Sequence, residues 1–171
     1  MKQIESQLSH LRLSGMNRSW QALVETKRVH ELSLPEGLEI LLQAEKEERD
    51  IKRFERLKNN AKFRYQASIE EISFDATRGL NKGLITELAT CNYLEKGESV
   101  LITGATGCGK SFIASALGHH ACVHGKTVGY FNTQKLLMQA KMTRMDGSNL
   151  KFFDKIAKMS LLILDDFGLT N

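Results

Sequence analysis

The chain has 171 residues, 42% of them apolar and 26% charged, with a formal net charge of +4. This is the composition of a globular protein, one domain plus a short extension, and it excludes repeat and low-complexity architectures. The opening MKQIESQLSH lacks the apolar core of a signal peptide, and no apolar run approaches the roughly 20 residues of a membrane span, so a soluble cytoplasmic protein is expected.

Residues 1–66 read as helical. Ile4, Leu8 and Leu11 share a helix face, and Gly15 is placed to stop that helix. Trp20, Leu23, Val24 and Lys27 fit a second helix. Ser33-Leu34-Pro35-Glu36 has capping-box spacing with proline in the first turn. The helix it opens carries Leu38, Leu41, Leu42 and Ala44 on a broad apolar side and continues through Ile51, Phe54, Leu57 and Ala61. Weak alternation at Ile69, Ile72 and Phe74 suggests an extended linker. Arg78-Gly79-Leu80 then precedes a helix from about Lys82 to Tyr93, so 67–97 reads as a lead-in segment.

From residue 98 onward strands and helices alternate. Ser99–Thr103 reads as a buried strand, followed by a glycine loop and a helix from Lys110 to about His120. Thr127–Asn132 is a second strand, followed by a helix from Thr133 to Arg144. A turn at Asp146-Gly147-Ser148-Asn149, a helix from Asn149 to Lys158 and a strand at Leu161–Leu164 complete the order. Strands separated by such helices predict an α/β fold with a parallel sheet, preceded by an all-α region.

Gly104-x-x-x-x-Gly109-Lys110-Ser111 matches the P-loop pattern at every fixed position. The loop of Gly104, Ala105, Thr106, Gly107, Cys108 and Gly109 has room to wrap backbone N–H groups round a phosphate. Lys110, Ser111 and Phe112 open a helix whose positive end faces the same anion. Lys110 is the cation for the β- and γ-phosphates, and the Ser111 hydroxyl is a magnesium ligand. LLILDD, residues 161–166, ends a strand in acids: Asp165 is the candidate for Mg²⁺ through water, and Asp166 the candidate to orient or deprotonate an attacking water.

The three cysteines, Cys91, Cys108 and Cys122, have neither CxxC nor zinc spacing and read as free thiols. His119 and His120 point to different sides of their helix, and His120 with His124 lacks a third ligand. In KRFERLKNNAKFR, Lys52, Arg53, Arg56, Lys58, Lys62 and Arg64 stand against one acid, Glu55. A salt-bridged, solvated helix and a contact surface for nucleic-acid phosphates both fit that stretch.

The run ISFDATRGLNKGLITELATCNYLEKGESVLITGATGCGKSFIASALGHHA resembles the ATPase core of IstB-type transposition helper proteins of bacterial insertion sequences, relatives of DnaC-type helicase loaders within the AAA+ ATPases. LRLSGM, RFERLKNNAKFR and LLILDDFGL extend the resemblance from about Leu11 to Leu169. It implies ATP and Mg²⁺ as ligands, oligomers assembled on duplex DNA with little sequence preference, and a transposase as partner. It carries the Walker A roles onto Gly104, Gly109, Lys110 and Ser111, and the Walker B roles onto Asp165 and Asp166. Complete members continue past this point with a sensor strand, an arginine finger and a lid. A chain ending at Asn171 is therefore expected to lack them, and to bind ATP more readily than it turns it over. The competing readings are a helicase loader, a catalytically inactive fragment that binds ATP or DNA, and a small-molecule kinase, for which no acceptor pocket or lid arginines are evident.

Overall fold

A computed structural model describes residues 2–75, 79–145 and 147–168. The chain divides into two compact units, Met1–Glu55 and Arg56–Asn171.

Helices α1 (Lys2–His10) and α2 (Ser14–Glu25), a 3-10 turn at Arg28–His30 and the first part of α3 (Leu34–Ala61) belong to the first unit. Gly15 does not stop the first helix; α1 ends at His10 and Gly15 lies within α2. Its small size serves a close helix approach, since a Cβ there would stand 2.3 Å from the Ala44 carbonyl oxygen. That approach brings Glu45 to the start of α2, where Leu13 provides no side-chain cap. Glu45 Oε2 accepts the Gly15 N–H at 2.8 Å and the Met16 N–H at 3.2 Å. Its other oxygen accepts Arg49 Nε at 2.8 Å. A buried carboxylate from another helix thus satisfies two orphan donors at a positive helix end. Glu48 pairs with both Arg18 and Lys52.

The capping spacing at Ser33 is realised by its second half. Glu36 Oε2 accepts the Ser33 N–H at 2.8 Å, and the Ser33 hydroxyl donates to the same oxygen at 2.6 Å. Lys27 falls outside α2, in a left-handed conformation. On the apolar side of α3, Leu34, Leu38 and Leu42 are exposed, successive residues one turn apart on a single stripe.

In the second unit, the apolar residues of 67–75 pack into the core, which an extended linker would not do. Glu71 accepts the Ser68 N–H at 2.8 Å in a capping box that starts a 3-10 turn at Ile69–Glu71. Ala67 and Ile72 are then buried with Ile85, Ile113, Ala116 and Leu117, while Ile69 and Phe74 pack against them. The helix expected over 82–93 is two helices, α4 (Lys82–Ala89) and α5 (Asn92–Lys96), separated where Cys91 adopts a positive φ of 60°. Arg78, Asp146 and the residues from Leu169 on lie outside the described residues.

Helix α6 (Lys110–Val123) buries Ile113, Ser115, Ala116, Leu117, Gly118, Ala121 and Cys122, and it packs on α4 and on both strands. Strand β1 (Val128–Asn132) leads through α7 (Thr133–Met145) and α8 (Asn149–Ala157) to β2 (Leu161–Asp165). The two strands pair in parallel, from Val128 opposite Leu161 to Asn132 opposite Asp165. This is the crossover arrangement the alternating pattern predicts.

Ser99–Thr103 departs from expectation. Among the described residues it joins no ladder. Ile102 packs on the core, but Leu101 is 80% exposed and Val100 is exposed beside it. A strand forms where a neighbour takes up its N–H and C=O groups. Here β1 and β2 pair with each other, and among the described residues the apolar run before the loop has no ladder partner.

Candidate nucleotide-binding site

The glycine loop leads directly into α6. Gly109 is the residue before the helix, with φ of 92°, a left-handed conformation that glycine takes without steric cost. The turn leaves Lys110 as the first helical residue and Ser111 as the second. Lys110 Nζ donates to the Gly104 carbonyl at 2.9 Å and to the Ala105 carbonyl at 2.7 Å, so the ammonium lies across the mouth of its own loop. Thr106, Gly107 and Cys108 form the exposed crest, and Phe112 packs below it against the core.

Ser111 and Asp165, 54 residues apart in sequence, meet across the site. The Ser111 hydroxyl donates to Asp165 Oδ1 at 2.8 Å. The backbone N–H of Asp166 donates to the same oxygen at 3.0 Å. On Oδ2, Asp165 accepts the Tyr130 hydroxyl at 2.5 Å and Arg64 Nη1 at 3.1 Å. Burial works to raise the Asp165 pKa, but the bonds from Tyr130, Ser111 and Arg64 outweigh it and hold the carboxyl below its ordinary value. Burial, followed by the bond to Asp165, pushes the Tyr130 phenol well above its ordinary value, so the phenol keeps its proton and donates a hydrogen bond to the acid.

Asp166 is held differently. Asn132 Nδ2 donates to Asp166 Oδ2 at 2.8 Å, while Asn132 Oδ1 accepts the Lys135 N–H in the first turn of α7. Asp166 adopts a left-handed φ of 54°, a conformation Asp tolerates better than most residues. Thr133 donates to the Asp165 carbonyl at 2.8 Å, tying the end of β2 to the start of α7.

The loop-helix serine Ser111 and the strand-end acid Asp165 are thus brought into direct contact. A hydroxyl and a carboxylate held 2.8 Å apart, with a second carboxylate beside them, are the oxygen donors that magnesium takes alongside phosphates and water. The donor set fits the ion. Tyr130 and Asn132 were not singled out from the sequence. Their signal is positional: they alternate on β1 and reach the carboxyl end of a parallel pair, where α/β sheets hold their ligands.

The six basic positions have different settings. Lys52 is paired to Glu48 at 3.0 Å and donates to Ser14 at 2.7 Å. Arg53, Arg56 and Lys62 are exposed, and Lys58 is half-buried. Arg64 is engaged by the acids of the site, at 3.1 Å from Asp165 and 3.7 Å from Asp166.

A glycine loop at a helix start, a lysine lying over it and a strand-end aspartate bonded to the loop serine define a P-loop nucleotide-binding fold of the α/β class. More particularly, residues 6–171 match the family of IstB-like ATP binding proteins, and the chain belongs to that family. A protein of insertion sequence IS1162 from Pseudomonas fluorescens, named for ATP binding, is 41% identical over 96% of this chain and 71% of its own length. The insertion-sequence protein y4pL of Sinorhizobium fredii is 32% identical over 95% of this chain and 66% of its own length. Rv3427c of Mycobacterium tuberculosis, also named for ATP binding in an insertion sequence, is 31% identical over 97% of this chain and 66% of its own length. The chain thus spans about two thirds of the length of these curated relatives.

Proposed function

We propose that this chain binds magnesium-ATP and acts in the cytoplasm as a helper of DNA transposition, assembling with further copies on duplex DNA and stimulating a partner transposase. The observation that carries the reading is the Ser111–Asp165 bond, which unites the loop and the strand-end acid into one site. Family membership and relatives from insertion sequences support the transposition context.

In this reading the backbone of Gly104–Gly109 and the N-terminus of α6 take the phosphates. Lys110 exchanges its two loop carbonyls for phosphate oxygens. Ser111 and Asp165 would hold magnesium, whose charge would offset that of the phosphates. Asp166, steadied by Asn132, orients the attacking water. The exposed Leu34, Leu38 and Leu42 stripe offers apolar surface for assembly, and the basic residues from Lys52 to Lys62 offer charge to DNA phosphates. Among the described residues no helix is long and apolar enough to cross a membrane.

Duplex-DNA binding measured across a salt series tests the DNA part. Reversing Arg53 and Arg56 to Glu is expected to weaken binding and to reduce the magnitude of the log–log salt slope by about 2. An unaltered slope would assign these residues to a solvated helix surface.

A further inference from the structure

Arg64 belongs to the basic stretch by sequence and to the acidic site by structure. Its guanidinium makes a 3.1 Å bond to Asp165 Oδ2 and lies 3.7 Å from Asp166 Oδ2. It therefore brings a full positive charge to both carboxylates, at the place where the reading above puts a divalent cation.

The three side-chain donors to Asp165 are not equivalent. Ser111 and Tyr130 are neutral hydroxyls rooted in α6 and β1, and their bonds to Asp165 are partly buried. The Arg64 side chain is 51% exposed, and its bond to Asp165 is exposed. In that same position its guanidinium lies 5.5 Å from the centroid of the Tyr65 ring, a favourable contact that needs no acid. Arg64 follows the end of α3 at Ala61, so its movement disturbs no helical hydrogen bond. Of the three, it is the exposed donor.

We propose that Arg64 is the resident counter-ion of the Asp165–Asp166 pair, and that a divalent cation entering the site displaces it. The inference rests on the reading that Asp165 is a metal carboxylate. Two like charges side by side are costly without a cation. Arg64 supplies one in the metal-free state, lying against both acids where the metal would enter. The metal then replaces one cation with another of higher charge, and the guanidinium gives up its carboxylate bond and turns to solvent. Arg64 is a positioning residue in this scheme: it acts through the acids and competes with their ligand. An exposed pair of this kind is weak, so the competition is modest, a factor of about 2–5 in apparent metal affinity.

The test uses Mn²⁺ as probe, with bound metal counted by electron paramagnetic resonance in the wild-type chain, Arg64→Gln and Arg64→Lys. Titrations are run with Mn²⁺ alone and with Mn²⁺ plus ATP. With Mn²⁺ alone, Arg64→Gln is expected to half-saturate at a concentration about 2–5-fold lower than wild type. Arg64→Lys keeps the charge and is expected to stay within about twofold of wild type. Should Arg64→Gln fail to fold, Arg64→Ala replaces it with the same expected gain. Equal half-saturation, weaker metal binding without Arg64, or no Mn²⁺ bound by any of the proteins would overturn the exchange. A wild-type chain that binds Mn²⁺ but takes up no ATP would strike the proposed function and leave the metal comparison standing.

Discussion

Two carboxylates, one in each unit, are dressed alike and serve different ends. Glu45 and Asp165 each accept several hydrogen bonds, and each carboxyl is held below its ordinary pKa against an opposing effect of burial. The donors differ. Glu45 is bound by two backbone N–H groups at a helix start and by Arg49 from its own helix. Asp165 accepts one backbone N–H, from its neighbour Asp166, and three side-chain donors, a serine, a tyrosine and an arginine from three separate segments. The two backbone donors to Glu45 belong to the first turn of another helix and cannot turn away, whereas most of the donors to Asp165 are side chains that can turn and admit a ligand. A depressed pKa alone therefore does not tell a brace from a binding site; the kind of donor does.

Breaking each acid should separate the two roles. The largest expected effect belongs to the site: Lys110→Ala removes the cation over the loop, and loss of its charge-assisted bonds should weaken ATP binding by about 10²-fold with little change in thermal stability. Equilibrium titration with ATP and a melting curve on the same sample check both halves. Glu45→Gln should show the opposite profile. It removes the charge that closes α2 and pairs with Arg49, and should destabilise the chain by about 1–3 kcal/mol in chemical denaturation while ATP affinity is unchanged.

Acidification is expected to act on both acids with one sign and a smaller effect. Each folded pKa is depressed, so each contribution is fully present above the unfolded value and is lost as pH falls through the folded one. Stability should thus decline as pH drops below about 4, and Glu45→Gln and Asp165→Asn should each flatten that decline. A pH series of denaturation midpoints measures it. An identical slope in all three proteins would remove the electrostatic account of both carboxylates.

What the sequence disclosed follows the range of the interactions concerned. The P-loop, the start of α6 and the acids closing β2 are local signals, and they were legible to within a residue or two. The parallel pairing was legible because helices of sufficient length lie between the strands. Gly15 was misread because its reason is Ala44, in another helix. The Ser68–Glu71 capping pair was overlooked beside weak alternation, and with it the burial of Ile72. Ser99–Thr103 has the residues of a strand, but a strand is a property of two segments, and β-branched content does not supply the second. Arg64 looked like one base among six; only the fold puts it beside Asp165.

The central claim is that the loop and the strand-end acid form one site for magnesium-ATP. Calorimetric titration of the wild-type chain with ATP, in magnesium and again in chelator, tests it most directly. The account predicts saturable one-to-one binding in magnesium and markedly weaker binding in chelator; no saturable binding in magnesium would contradict it.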